Sequence, residues 1–195
     1  RKVLTTGDGG IVTTADADID ARLRLLRQHG MSVSDRDRHA AGEVVFESYL
    51  TTAYNYRLTD IQAAVGCVQL ERLDQILAER RRQAAFYHQR LEEHRFLELT
   101  SIRETLRPNW QSYPVRLSRA APLDQRQVMQ ALLERGVATR RGIMNAHQEP
   151  VYRGVNWDLP CSQDLRDRTI LLPLYPGLSD EELETVCRAL ETILS

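Results

Sequence analysis

The hydrophobic positions change period along the chain, and each change predicts an element. Residues 3–6 and 11–14 are rich in β-formers and flank Gly7-Asp8-Gly9-Gly10, the pattern of two short strands joined by a glycine turn. From Asp16 onward Ile19, Leu23 and Leu26 recur at helical spacing, and Gly30 follows basic Arg27 and His29 as a stop. Residues 31–53 lose periodicity and, with Asp35-Arg36-Asp37-Arg38, read as a long surface loop. Thr59-Asp60-Ile61-Gln62 has the form of a capping box, in which Thr59 and Gln62 satisfy each other's free backbone donors at a helix start. Ile61, Val65, Val68, Leu73, Ile76 and Leu77 continue at three- and four-residue steps toward Leu91. The spacing predicts one helix of about 30 residues, roughly 45 Å long, or two shorter ones with a break near Ala78.

Beyond this stretch the period alternates between two and about 3.6. Tyr113, Val115 and Leu117 alternate with polar neighbours, and Pro114 marks that strand as an edge or a bulge. Asp124 can cap a helix carrying Val128, Leu132 and Leu133, which Gly136 closes. Residues 137–141 read as a second strand, Ser162 opens a short helix, and Ile170-Leu171-Leu172 is a third strand. Ser179-Asp180-Glu181-Glu182 is another capping box, ahead of Leu183, Val186, Leu190 and Ile193. Strands and helices in alternation describe an α/β layer. No internal repeat is evident.

Composition narrows the function classes. The chain has 195 residues, 42% hydrophobic and 27% charged, with a net charge of −1, so nothing electrostatic favours nucleic acid or an anionic membrane. Arg80-Arg81-Arg82, inside a helical pattern, reads as a solvated helix face. Cys67, Cys161 and Cys187 are odd in number and widely spaced, which suggests neither a disulfide framework nor a metal site and fits a reducing cytoplasm. No apolar run approaches the roughly 20 residues of a membrane span. The first residue is Arg rather than Met, so the sequence is expected to be part of something longer.

Several segments in order carry more than any of them alone. Lys2 precedes Gly7-Asp8-Gly9-Gly10; Arg27-Gln28-His29-Gly30 ends the first helix; Tyr54-Asn55-Tyr56-Arg57 precedes the long helix; Leu70-Glu71-Arg72-Leu73-Asp74 lies within it; and Leu172-Pro173-Leu174-Tyr175-Pro176-Gly177-Leu178 comes late. This series resembles the nucleotide-sugar aminotransferases of the DegT/StrS type, and the resemblance covers nearly the whole chain. It implies an α/β chain that is the carboxy-terminal part of an aspartate-aminotransferase-like (fold type I) enzyme. Residues 1–90 would be the end of the large cofactor domain with its long interface helix, and residues 91–195 the small C-terminal domain.

The resemblance also implies chemistry. Lys2 would anchor pyridoxal phosphate as a Schiff base and shuttle a proton, which a lysine can do once its surroundings favour the neutral amine. Asn55 would reach the cofactor phosphate of a neighbouring subunit, although by its own sequence context it is equally a turn asparagine ahead of the Thr59 cap. Arg57 would meet phosphate or substrate pyrophosphate, or else neutralise Asp60. His147 aligns with a histidine near the sugar site. There the chain departs from the family pattern, carrying Gly142-Ile143-Met144 where many relatives have a His-Tyr-Pro segment, which puts the sugar contacts in doubt. Retention of Lys2 argues against the dehydrating members, and the scattered cysteines do not resemble an iron-sulfur set.

The expected reaction is transfer of an amino group from glutamate to a nucleotide-linked keto sugar, in a cytoplasmic homodimer with composite active sites. No metal, nucleic acid or membrane is expected to take part. A rival reading is a non-catalytic folding or dimerisation module. It arises because the family's ring-stacking aromatic and pyridine-pairing acid are not among these residues, which would leave Lys2 at a frayed terminus.

Overall fold

The computed structural model describes residues 2–152, 154 and 157–195. The chain divides into two compact units, Leu4–Glu71 and Arg72–Ser195, the latter joined by Lys2 and Val3.

In Leu4–Glu71 the elements are α1 (Ala17–Arg27), α2 (Asp35–Ala40) and α3 (Asp60–Glu71). Asp16 caps α1, its carboxylate accepting from the amides of Asp18 and Ile19. Helix α2 lies in the stretch expected to be a loop, because Ser34 caps it and accepts from Asp37 N–H. The expected hairpin is absent: none of the described residues before α1 lies in a strand. Two isolated strands are marginal in water, and among the described residues Ile11 and Val12 are left 88% and 70% exposed. Among the described residues of this unit only Gly30 is buried.

Arg72–Ser195 holds α4 (Leu73–Leu91), β1 (Leu97–Leu99), β2 (Tyr113–Leu117), α5 (Gln125–Glu134), β3 (Arg140–Arg141), α6 (Pro160–Arg168), β4 (Thr169–Leu172) and α7 (Asp180–Leu194). The strands form one antiparallel sheet in the order β1-β2-β4-β3, with Val115 opposite Ile170 and Leu99 opposite Val115. Alternation along β2 buries Tyr113, Val115 and Leu117 on one face, where α4, α5 and α7 close the core. Helix α7 contributes Leu183, Val186, Cys187, Leu190 and Leu194, and α4 contributes Ala84, Tyr87 and Leu91. Each fully buried Leu of this kind contributes roughly 1.5–3 kcal/mol. The other face is ionic. Glu98 and Asp164 are shared among Arg116, Arg119 and Arg168, with Arg119 to Asp164 at 2.5 Å and Arg168 to Glu98 at 3.4 Å.

Capping boxes at Asp124 with Gln127 and at Ser179 with Glu182 start α5 and α7. The strand expected over 137–141 shrinks to Arg140–Arg141, because its first residue still closes α5 through Val137 N–H to Leu132 C=O at 2.9 Å. Pro114 lies in an inner strand, yet β1 pairs only from Val115 onward, so the chain is locally an edge beside it. The expected long helix is interrupted at Arg72, six residues before Ala78 in sequence, with α3 ending at Glu71 and α4 starting at Leu73. No helix among the described residues is long and apolar enough to cross a membrane.

Candidate functional site

The polar pair Asn55 and Arg57 is built on the C-terminal turn of α1. Tyr54 N–H donates to Leu26 C=O and Tyr56 N–H to Arg27 C=O, both at 2.9 Å, while His29 N–H returns to Tyr54 C=O at 2.8 Å. These bonds extend residues 54–56 along the helix end, so side chains alternate. Tyr54 and Tyr56 stack on one side with centroids 4.9 Å apart, and Asn55 and Arg57 meet on the other. The turn that allows this needs left-handed backbone at His29 and Gly30, with φ of 55° and 71°. A Cβ on Gly30 would lie 2.3 Å from the Thr51 carbonyl oxygen, so only glycine fits.

Arg57 Nε donates to Asn55 Oδ1 at 3.3 Å, and its Nη1 donates to Asp35 Oδ2 at 2.6 Å. Asp35 also accepts from Arg38 Nη2 at 3.0 Å, and Arg38 Nη1 reaches Glu47 Oε2 at 3.1 Å. The Glu47 carboxyl is held below its usual range, first by a backbone hydrogen bond and then by Arg38. Arg57 therefore pairs with Asp35 and not with Asp60, the partner its sequence neighbourhood suggested. Sequence spacing had no means of finding Asp35, which lies 22 residues away. With its oxygen engaged, the Asn55 amide keeps both Nδ2 donors without an acceptor among the described residues, and both side chains are exposed. Such a donor set suits an anion such as a phosphate.

The glycine turn is held to the start of α3. Thr59 N–H and Gln62 N–H close the expected capping box, and Gln62 Nε2 donates to Asp8 C=O at 2.8 Å. Gly66 lets Thr6 approach the same helix, since a Cβ there would stand 3.1 Å from Thr6 Cγ2.

Lys2 and His147 belong to the other unit. Lys2 is the only lysine of the chain; it is exposed and has no partner among the described residues. That leaves its amine available for a covalent bond. His147 sits in a short 3-10 turn, Ala146–Gln148, beside buried Asn145, whose amide donates to Gln148 Oε1 and to Ser162 C=O, both at 2.9 Å. Its Nε2 is buried without a partner among the described residues. The structure thus joins Asn55 to Arg57, whereas Lys2 and His147 contact none of the other expected site residues within their unit. No cluster of metal-ligating side chains occurs among the described residues.

The segment after β4 has its own support, which sequence reasoning missed. Buried Arg80 donates Nη1 to the carbonyls of Trp110 and Gln111 at 3.0 and 3.2 Å and to Leu174 at 3.4 Å. Gln83 Nε2 donates to Tyr175 C=O at 2.8 Å, and Tyr87 Oη to Pro173 C=O at 2.9 Å. Arg81 and Arg82 are solvated as expected, but Arg80 is not. It falls on the stripe Ile76, Arg80, Gln83, Tyr87, Leu91, the buried face of α4, a period legible in the sequence. Burial lowers the Arg80 pKa and raises that of the Tyr87 phenol.

The sequence matches the DegT/DnrJ/EryC1/StrS aminotransferase family over residues 1–191. It is 27% identical over 199 aligned residues to the uncharacterized protein MJ1066 of Methanocaldococcus jannaschii, covering all of this chain and 52% of that protein. Its structure is similar to the sugar aminotransferase CalS13 from Micromonospora echinospora, with a TM-score of 0.83 at 27% identity, covering 97% of this chain and 49% of that one. The aminotransferase TlmJ from Streptoalloteichus hindustanus is similar at a TM-score of 0.85 and 27% identity, covering 98% of this chain and 49% of that one. The chain thus spans about half the length of these relatives.

Proposed function

Because the chain belongs to the DegT/DnrJ/EryC1/StrS aminotransferase family, we propose that it forms the carboxy-terminal part of a pyridoxal-phosphate-dependent enzyme that transfers an amino group from glutamate to a nucleotide-linked keto sugar. The family's enzymes use this cofactor, and the fold is that of their type I architecture. The observation that carries the reading is the family match running from the first residue, so that the chain's only lysine stands in the matched region beside the glycine turn.

Lys2 would hold the cofactor covalently, and its Nζ, once released by the amino donor, would carry the proton to and from the substrate carbon. Asn55 Nδ2 and the Arg57 guanidinium would donate to phosphate oxygens, with Asp35 fixing the Arg57 fork. Bound pyridoxal phosphate supplies an electron sink, while these residues supply placement. His147 is assigned to the sugar side as a positioning residue. In the whole protein we assign residues 1–90 to the end of the large domain and 91–195 to the small domain. That division follows the family and not the packing, since α4 shares a core with α7. We further propose a cytoplasmic homodimer in which Asn55 serves the partner's cofactor; its exposed Nδ2, without an acceptor among the described residues, supports this.

The test is reduction with borohydride after incubation of the full-length protein with pyridoxal phosphate, followed by peptide mass spectrometry. The expected adduct is on the Lys2 peptide and disappears in Lys2→Arg. Its absence from wild-type protein would overturn the catalytic reading and leave the folding or dimerisation module in its place. Production of 2-oxoglutarate from glutamate checks the donor.

A further inference from the structure

A groove of about 660 Å³ lies between α4 and the β1 edge of the sheet, within the Arg72–Ser195 unit. Among the described residues β1 pairs only with β2, which leaves its other side open. Ser118 N–H donates to Phe96 C=O at 2.8 Å, in register with Leu97 opposite Leu117. Ladder bonds alternate along an antiparallel pair, so the bonded positions are Phe96 and Glu98, and the backbone of Leu99 faces away from β2. The Leu99 N–H and C=O have no partner among the described residues. A free strand edge beside a helix is the geometry in which an extended peptide is taken up as an added strand.

The lining decides what such a peptide carries. Arg81 and Glu92 are the first and last α4 residues on the groove, about 16 Å apart along the helix, which is the length of roughly five extended residues. Arg81 is exposed without an ion-pair partner among the described residues, and the Glu92 carboxylate has only His88 Nε2, at 3.9 Å. Between them Ala84 and Ala85 leave room, while Ile102 and Trp110 add apolar surface. Trp110 has left-handed backbone, with φ of 46°, an outlier for so bulky a residue. Buried Arg80 holds it there, donating to the carbonyls of Trp110 and Gln111 at 3.0 and 3.2 Å. Strain of this kind persists only where the surroundings over-determine it, and it clusters at binding sites.

We propose that this groove binds an extended peptide segment of a partner protein, added antiparallel to β1, whose alternate residues are acidic, aromatic and basic. Since β1 returns along α4 after a short connection, such a strand runs with α4, and its first residue meets Arg81. The side-chain period of two turns its first, third and fifth residues toward the helix, onto Arg81, the Trp110 surface and Glu92. The inference does not draw on the cofactor reading, and its readout is binding and not turnover. The test is fluorescence anisotropy of fluorescein-labelled, end-blocked Glu-Thr-Phe-Thr-Lys titrated with the full-length protein. Saturable binding below millimolar concentration is expected. Methylating the Phe amide nitrogen, which removes the donor opposite Leu99 and keeps every side chain, should weaken it about fivefold or more. Arg81→Glu and Glu92→Arg should each weaken it about threefold or more, and the double variant should prefer the charge-swapped Lys-Thr-Phe-Thr-Glu. Both side chains are exposed, so these variants should melt with wild type. If they do not, the methylated and charge-swapped peptides read the same site on unaltered protein. No saturable binding at millimolar concentration, equal binding of the methylated peptide, or indifference to charge reversal would overturn the proposal. A bound fraction that falls again as the protein is concentrated would put a second copy of the chain on this edge and likewise overturn it.

Discussion

The two compact units solve the burial problem in opposite ways. Arg72–Ser195 holds every buried hydrophobic residue of the described chain, all but Ile76 in one core between a sheet and three helices. Leu4–Glu71 holds many large apolar side chains that are exposed in this chain, among them Phe46 at 88%, Ile61 at 81% and Tyr56 at 73%. Its order comes instead from backbone and charged contacts, such as the α1 turn holding residues 54–56 and Asp35 holding Arg57. An apolar core tolerates no loss of volume, whereas a unit held by directional bonds is sensitive mainly where geometry is fixed.

The sharpest way to break this contrast is truncation of apolar side chains. Leu190→Ala, in the core, should cost about 2–5 kcal/mol in urea unfolding. Ile61→Ala, on the exposed side of α3, should cost less than about 0.5 kcal/mol. A large effect of Ile61→Ala at every protein concentration would mean that α3 has a core of its own. The reverse test is Gly30→Ala, expected to cost about 1–3 kcal/mol from its left-handed φ and its clash with Thr51. Hydrogen exchange should show that loss at residues 50–56 and leave β2 and β4 protected.

A thiol probe sharpens the comparison without mutation. Cys67 and Cys161 are exposed and should react in the native chain, whereas burial pushes the Cys187 thiol up to about 12 and shields it. Cys187 should label only on unfolding, as mass-spectrometric counting of modified peptides can check. The smallest expected effect is electrostatic. Arg90 donates two hydrogen bonds to Glu184, at 2.8 and 3.0 Å, and holds that carboxyl below its ordinary value near 4.5. A depressed folded pKa contributes stability above the unfolded value that is lost as pH falls through the folded one. The urea midpoint should therefore drop as pH falls below about 4.5, and less steeply in Arg90→Gln. At about one-third exposure the pair contributes only ~0.2–1 kcal/mol.

Local signals carried furthest where their effect closes within a few residues. The boxes at Thr59 and Ser179 and the cap at Asp124 stand where the spacing puts them, since each joins residues three apart. The α/β class and the family were legible for a related reason, as the motif series is a matter of order along the chain. What failed depended on distant partners. β-propensity at Ile11 and Val12 produces no strand without a neighbour to pair with. Arg80 read as solvated because its acceptors lie 30 and 94 residues away. At the candidate site, Asn55 and Arg57 were legible as residues, but the Asp35 contact that orients Arg57 was not.

The grip of α4 on residues 173–178 has a consequence for which changes that segment can absorb. Arg80, Gln83 and Tyr87 all take hold of carbonyl oxygens, which every amino acid carries. At Pro173, Leu174 and Tyr175 the grip is thus on the backbone, while Leu178 is also held by its side chain, which is buried in the core. Residues such as Tyr175, nearly half exposed, are free to be exchanged for new surface chemistry without loosening the anchor. Tyr175 is thus a position where surface chemistry can vary, whereas core Leu178 and left-handed Gly177 are fixed.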